Sequence, residues 1–142
     1  MEKKYSAIIP VYNSEKSIIK LINSLINLEK PPFEIIVIDD ASTDETFNSL
    51  KKYKQVNVFR LEKNVGPALA RNIGARKAKT SWLLFIDADC SLPYKSIDYA
   101  FPSQEEEEKN IVGIMGVFDI KGKNKSLISN YKNIQRHFEI KA

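Results

Sequence analysis

The sequence predicts an α/β domain: a mainly parallel β-sheet flanked by helices. Three observations carry this. Apolar runs such as Ile35-Ile36-Val37-Ile38 and Trp82-Leu83-Leu84-Phe85-Ile86 are continuous, the pattern of strands buried on both faces. Stretches with a 3.6-residue apolar period alternate with them. The resulting order, β-α-β-α-β-α-β-α-β, requires right-handed crossovers between parallel neighbours.

The first strand covers residues 5–11. After Asn13-Ser14, residues Ile18, Leu21, Ile22, Leu25, Ile26 and Leu28 mark one face of a helix, which Pro31-Pro32 terminates. The second strand covers 33–39. Ser42, with Glu45 three residues on, predicts a capping box for a helix through Thr46, Phe47 and Leu50. A third strand at 56–61 leads to Pro67, which suits the first turn of a helix carrying Leu69, Ala70 and Ile73. The fourth strand covers 82–87. Pro93 begins a short helix toward Phe101, the acidic run at 104–109 reads as solvated, and a fifth strand covers 111–120. Beyond it, Leu127, Ile128, Tyr131, Ile134 and Phe138 form an apolar stripe on a basic helix at 126–140, with no following strand to pack beneath. Neither a repeat nor a linker divides residues 1–120. The expected organisation is a core at 1–120 followed by a basic amphipathic segment at 121–142.

With 142 residues and 43% hydrophobic content, the chain is long enough for one buried core, too short for two, and too apolar for bulk disorder. One cysteine excludes a disulfide framework and a cysteine-based zinc site. No apolar run approaches the ~20 residues of a membrane span, and residues 1–4 lead directly into a strand, so a soluble, cytoplasmic domain is expected. The net charge of +4 collects in the tail, where Lys121, Lys123, Lys125, Lys132, Arg136 and Lys141 face a single acid, Glu139. The body is close to neutral and carries no base-reading motif, which argues against nucleic acid as a partner.

In an open α/β sheet, ligands bind beyond the carboxyl ends of the strands. Strand one ends in Pro10-Val11-Tyr12-Asn13, strand two in Asp39-Asp40-Ala41-Ser42-Thr43-Asp44, and strand four in Asp87-Ala88-Asp89. Carboxylates gathered at one rim repel unless a cation or hydrogen-bond donors compensate, and a hard divalent ion shared with phosphate oxygens is the economical solution. If strand geometry persists, the spacing of Asp87 and Asp89 puts both on one side, with the small Ala88 admitting a ligand between them. Asp39 and Asp40 can cap the next helix, but Ser42 already supplies a cap. Asp40 can instead accept from a base N–H or a ribose hydroxyl. Tyr12 can stack on a flat ring or pack at the rim. In the third loop Gly66 permits close backbone approach. Arg71, a turn into its helix, can fork onto phosphate or pair with a rim aspartate. Cys90 and His137 read as packing or surface residues.

These blocks, with Asn64-Val65-Gly66 and Ala70-Arg71-Asn72-Ile73-Gly74, resemble family 2 glycosyltransferases of the Rossmann-like GT-A fold over roughly residues 5–120. The resemblance implies inverting transfer of a sugar from a nucleotide diphosphate donor, most often a UDP-sugar, with Mg²⁺ or Mn²⁺. It places Pro10, Tyr12 and Asp40 around the nucleobase, Asp87 near the ribose and Asp89 at the metal. The candidate donor-binding set is Pro10, Tyr12, Asn13, Asp39, Asp40, Asn64, Gly66, Arg71, Asp87, Ala88 and Asp89, with Asp89 and Asp87 as metal ligands.

Two departures stand out. Some relatives carry a basic residue near the position of Pro67, for which Arg71 is a candidate substitute here. The general base that an inverting displacement needs is not identifiable; Glu139 is a candidate in name only. A truncated enzyme is therefore expected, and its acceptor, a saccharide or a lipid-linked molecule, is open. The helix at 126–140 can pack on the body, mediate a homodimer, or lie at an anionic membrane surface. The competing reading is a nucleotide-sugar-binding module that cannot turn over by itself. A second competitor is a haloacid-dehalogenase-type phosphatase using Asp87 as nucleophile, which the late position of Asp87 in the chain disfavours.

Overall fold

The computed structural model describes residues 4–97. They form β1 (Tyr5–Val11), α1 (Glu15–Ile26), β2 (Glu34–Asp39), α2 (Thr46–Leu50), β3 (Val56–Arg60), α3 (Pro67–Lys77) and β4 (Trp82–Phe85). All four strands are parallel, in the order β3-β2-β1-β4. The chain thus lays down β1, β2 and β3 in one direction and then returns to the other side of β1. That reversal opens a crevice at the carboxyl ends of β1 and β4.

Every residue of β1 and β2 is buried, as their uninterrupted apolar sequences require of central strands. α1 turns Ile18, Leu21, Ile22 and Leu25 inward at helical spacing. It ends before Pro31-Pro32 is reached, because Asn27 closes it: its backbone N–H and side-chain Nδ2 both donate to Asn23 O, at 3.2 and 2.8 Å. α3 starts as expected, with Pro67 in its first turn. It lies close on the sheet because Ala70 and Gly74, one turn apart, are small. A Cβ on Gly74 would run into the Ile8 side chain and come within 3.3 Å of Ile38 Cγ1.

Three expectations need correction. β4 stops at Phe85, paired with Ile8, three residues short of the end of β1. The ladder persists only through Ile86 N–H to Ile8 O (3.2 Å), so strand geometry does not reach Asp87 or Asp89. The capping box does not form: α2 begins after Glu45, with no side-chain cap bond, because the Ser42 hydroxyl is engaged elsewhere. Strands two and three are each one residue shorter than expected. The fifth strand, the acidic run, the helix at 126–140, the boundary at 120/121, Glu139 and His137 lie outside the described residues.

Candidate active site

The register brings Val11, Asp39 and Arg60 side by side at the carboxyl ends of β1, β2 and β3. The loops that follow are laced together. Asn13, held at φ +46°, donates its N–H to Ser42 Oγ (3.0 Å), and its Oδ1 accepts from Thr43 N–H (2.8 Å). Ser14 N–H donates to Thr46 Oγ1 (2.9 Å), and Asp44 Oδ1 accepts from Thr46 N–H (3.0 Å). Asp44 is exposed; slight desolvation works against its charge, but hydrogen bonds from Thr46, hydroxyl and backbone, and from Glu15 N–H outweigh it and hold the carboxyl below its ordinary value. The polar run 42–46 is therefore chiefly a clasp between loops.

The paired acids at the end of β2 divide their tasks. Asp39 is fully buried; its Oδ1 accepts from Ser42 N–H (3.1 Å), and its Oδ2 lies 3.4 Å from Arg60 Nε. It exposes no surface, and its charge faces Arg60 within the corner. Asp40 is also buried, and its two oxygens accept from Val65 N–H (2.7 Å) and Gly66 N–H (2.8 Å). Its remaining lone pairs stay available to a donor group on a ligand. Gly66 is at φ +85°, where L side chains are strained.

After β4, Cys90 N–H closes a turn onto Asp87 O (3.0 Å). Asp87 and Asp89 sit on this turn, both exposed, around the buried Ala88. Arg71, reaching from α3, is paired with Asp87. Of the two readings of Arg71, the ion pair with a rim aspartate is the one formed. At this exposure such a pair adds little stability. Burial, and next the charge of Asp89, push the Cys90 thiol up, so it is a poor nucleophile.

Of the remaining candidates, Tyr12 is 48% exposed just past β1, and Asn64 is exposed beside Val65. Pro10 is buried within β1, paired with Ile38. Among the described residues no group of three or more His, Cys, Asp or Glu is arranged to hold a metal, and the expected ligands of a divalent ion are the pair Asp87 and Asp89. Asp39 is balanced by Arg60 and Asp40 by two amides. Asp87 and Asp89 do fit the ion: they are hard oxygen donors on an open turn, able to share it with phosphate and water. The sequence reading missed Arg60. A charged residue closing a strand that pairs with the one ending in Asp39 was the available signal.

A parallel sheet whose order reverses beside β1, flanked by helices, is consistent with the GT-A fold. The chain belongs to Glycosyl transferase family 2, which it matches over residues 6–142. It is 36% identical over 115 residues to the poly(ribitol-phosphate) β-N-acetylglucosaminyltransferase TarS of Staphylococcus aureus (strain Mu50), covering 77% of this chain and 20% of that protein. TarP, of the same named activity, from S. aureus (strain N315), is 33% identical over 131 residues, covering 88% of this chain and 39% of TarP. The crystal structure of S. aureus TarS 1-349 in complex with UDP has a TM-score of 0.63 and 39% identity, over 67% of this chain and 30% of that one. The mannosyltransferase PcManGT from Pyrobaculum calidifontis, in complex with GDP-Man and Mn²⁺, shares the fold at a TM-score of 0.59 and 24% identity, over 66% of this chain and 29% of that one. The chain thus spans 20% of TarS and 39% of TarP. Among the described residues, no helix is long and apolar enough to cross a membrane.

Proposed function

We propose that residues 4–97 are the donor-binding part of an inverting glycosyltransferase that takes a sugar from a UDP-sugar. The observation that carries this is the reversal of strand order at β1, with Tyr12 exposed just past β1, Asp40 just past β2 and the exposed turn of Asp87 and Asp89 just past β4, where such sheets bind ligands. The UDP complex of TarS supports the choice of nucleotide.

Tyr12 offers a flat face for the base. Asp40, fixed by the Val65 and Gly66 amides, offers acceptor lone pairs to a base N–H. Arg71 keeps Asp87 at the crevice, near the ribose, and can share its guanidinium with a phosphate oxygen. Asp87 and Asp89 would hold Mg²⁺ or Mn²⁺. When bound, that ion stabilises the negative charge that grows on the departing nucleoside diphosphate. Inversion also needs a carboxylate to take the proton from the attacking hydroxyl. Asp39 and Asp40 are buried and already engaged, so that base is assigned to another residue. The names of TarS and TarP support a poly(ribitol phosphate) hydroxyl as acceptor, and the basic residues from Lys121 onward suit such a polyanion. The single thiol suits a reducing, cytoplasmic setting.

Calorimetric titration with UDP, with and without Mn²⁺, tests the proposal. Metal-dependent binding that Asp89→Ala weakens about a hundredfold is expected; a flat response of the parent to UDP with metal present overturns it.

A further inference from the structure

Arg60 stands at the last position of β3, beside Asp39 in the register. Its Nη2 donates to Ser42 O (2.7 Å), its Nε lies 3.4 Å from Asp39 Oδ2, and its guanidinium carbon is 4.9 Å from the centre of the Phe47 ring. One side chain thereby joins the end of β3 to the corner after β2 and to α2. The joint matters because Asp39 is fully buried and its Oδ2 makes no hydrogen bond among the described residues. A buried carboxylate stripped of its counter-charge is costly, so the corner depends on this cation.

That corner is shared by three loops. Asp39 Oδ1 takes Ser42 N–H, and Ser42 Oγ takes the N–H of Asn13, next to Tyr12. The adjacent residue, Asp40, holds the amides of Val65 and Gly66, on the loop that leaves β3. Asp40 N–H is itself bonded to Val11 O (2.8 Å), and Leu61 N–H to Asp39 O (2.8 Å). Any shift of the Asp39 corner is thus passed to Tyr12, Asp40 and Gly66 together.

We propose that Arg60 is a positioning residue for the nucleotide: through Asp39 and the Ser42 carbonyl it holds the three loops in the arrangement that receives the base, without touching the donor itself. This rests on the donor-binding reading above. Arginine suits the task because its planar fork serves a carboxylate and a carbonyl at once, whereas the point charge of lysine neutralises Asp39 but cannot hold both.

The test compares variants of the chain by three measurements: UDP affinity in the presence of Mn²⁺, thermal midpoint, and amide hydrogen exchange at Val65 and Gly66 without ligand. Arg60→Met should weaken UDP binding by roughly tenfold or more and speed exchange at both amides. Arg60→Lys should recover part of the affinity, to within roughly threefold of the parent. The double variant Asp39→Asn/Arg60→Met removes the stranded charge; it should regain most of the thermal midpoint and none of the affinity. Glu34→Gln, at the opposite end of the sheet, should lower the midpoint and leave UDP affinity unchanged. The inference is overturned if Arg60→Met binds UDP like the parent, or if the double variant recovers affinity together with its midpoint. A parent chain that binds no nucleotide would instead be a failure of the donor reading, and would take the positioning role with it.

Discussion

The two ends of the sheet carry polar networks of opposite character. At the amino end, the buried carboxylate of Glu34 accepts from neutral donors: Ser6 Oγ–H and Lys79 N–H, both at 2.7 Å on Oε1. Thr80 sits 2.8 Å from Ser6 Oγ and donates to Trp82 O (2.8 Å), while the Tyr5 hydroxyl donates to Lys30 O (2.7 Å). This network ties strand starts to the loops that feed them. At the carboxyl end there are two buried acids, one exposed acidic turn and two arginines. Glu34, with one oxygen taken by two neutral donors far from the carboxyl rim, is a fastener. Acids that draw on guanidinium groups, or face solvent with lone pairs to spare, belong to a surface prepared for a charged ligand.

Several measurements would break or sharpen this contrast. The largest effect is expected from Asp40→Ala, which strands the Val65 and Gly66 amides. Losing two charge-assisted hydrogen bonds at a buried site should cost about 3–5 kcal/mol in urea unfolding, as well as UDP affinity. A loss below about 1 kcal/mol would show that the loop is held by something else. Asp89→Ala should do the reverse. A hundredfold weaker response to UDP with Mn²⁺, ~2.7 kcal/mol, is expected with the urea midpoint unmoved, because this exposed side chain supports little of the fold. At the amino end, Glu34→Gln should cost about 1–2 kcal/mol of stability and leave UDP binding alone; weakened binding there would erase the distinction between the two ends. The smallest effect concerns acid. The folded Asp44 carboxyl gives up its proton more readily than an ordinary one, so its contribution is complete above about pH 4 and fades as pH falls through the lower folded value. Below that pH the thermal midpoint of the parent should drop more steeply than that of Asp44→Asn; parallel curves would count against the loop clasp.

The fold was legible because burial on both faces leaves a plain mark. β1 was read to the residue, and α3 was announced by Pro67. The fourth strand was read too long, since Ile86 continues the apolar run past the point where its ladder with β1 ends. Local grammar misled at Ser42, whose spacing to Glu45 suits a capping box. The hydroxyl goes instead to Asn13, which a reading along the chain does not bring near. Asp40, Asp87 and Asp89 were each given a task in the sequence reading, but Asp39 was left in the same set as Asp40. Asp39 and Asp40 are adjacent and chemically identical, and only the partners folding brings to them, Arg60 for one and the Val65 and Gly66 amides for the other, set them apart.

The backbone at Gly66 has a consequence for chemical synthesis. Its φ of +85° strains an L side chain by handedness, yet a Cβ built there meets no atom within 4 Å. Ordinary Gly66→Ala should therefore cost about 1–3 kcal/mol through backbone strain alone. The mirror-image residue, D-alanine, installed by peptide ligation, would match the native twist, stiffen the unfolded chain and raise the melting temperature.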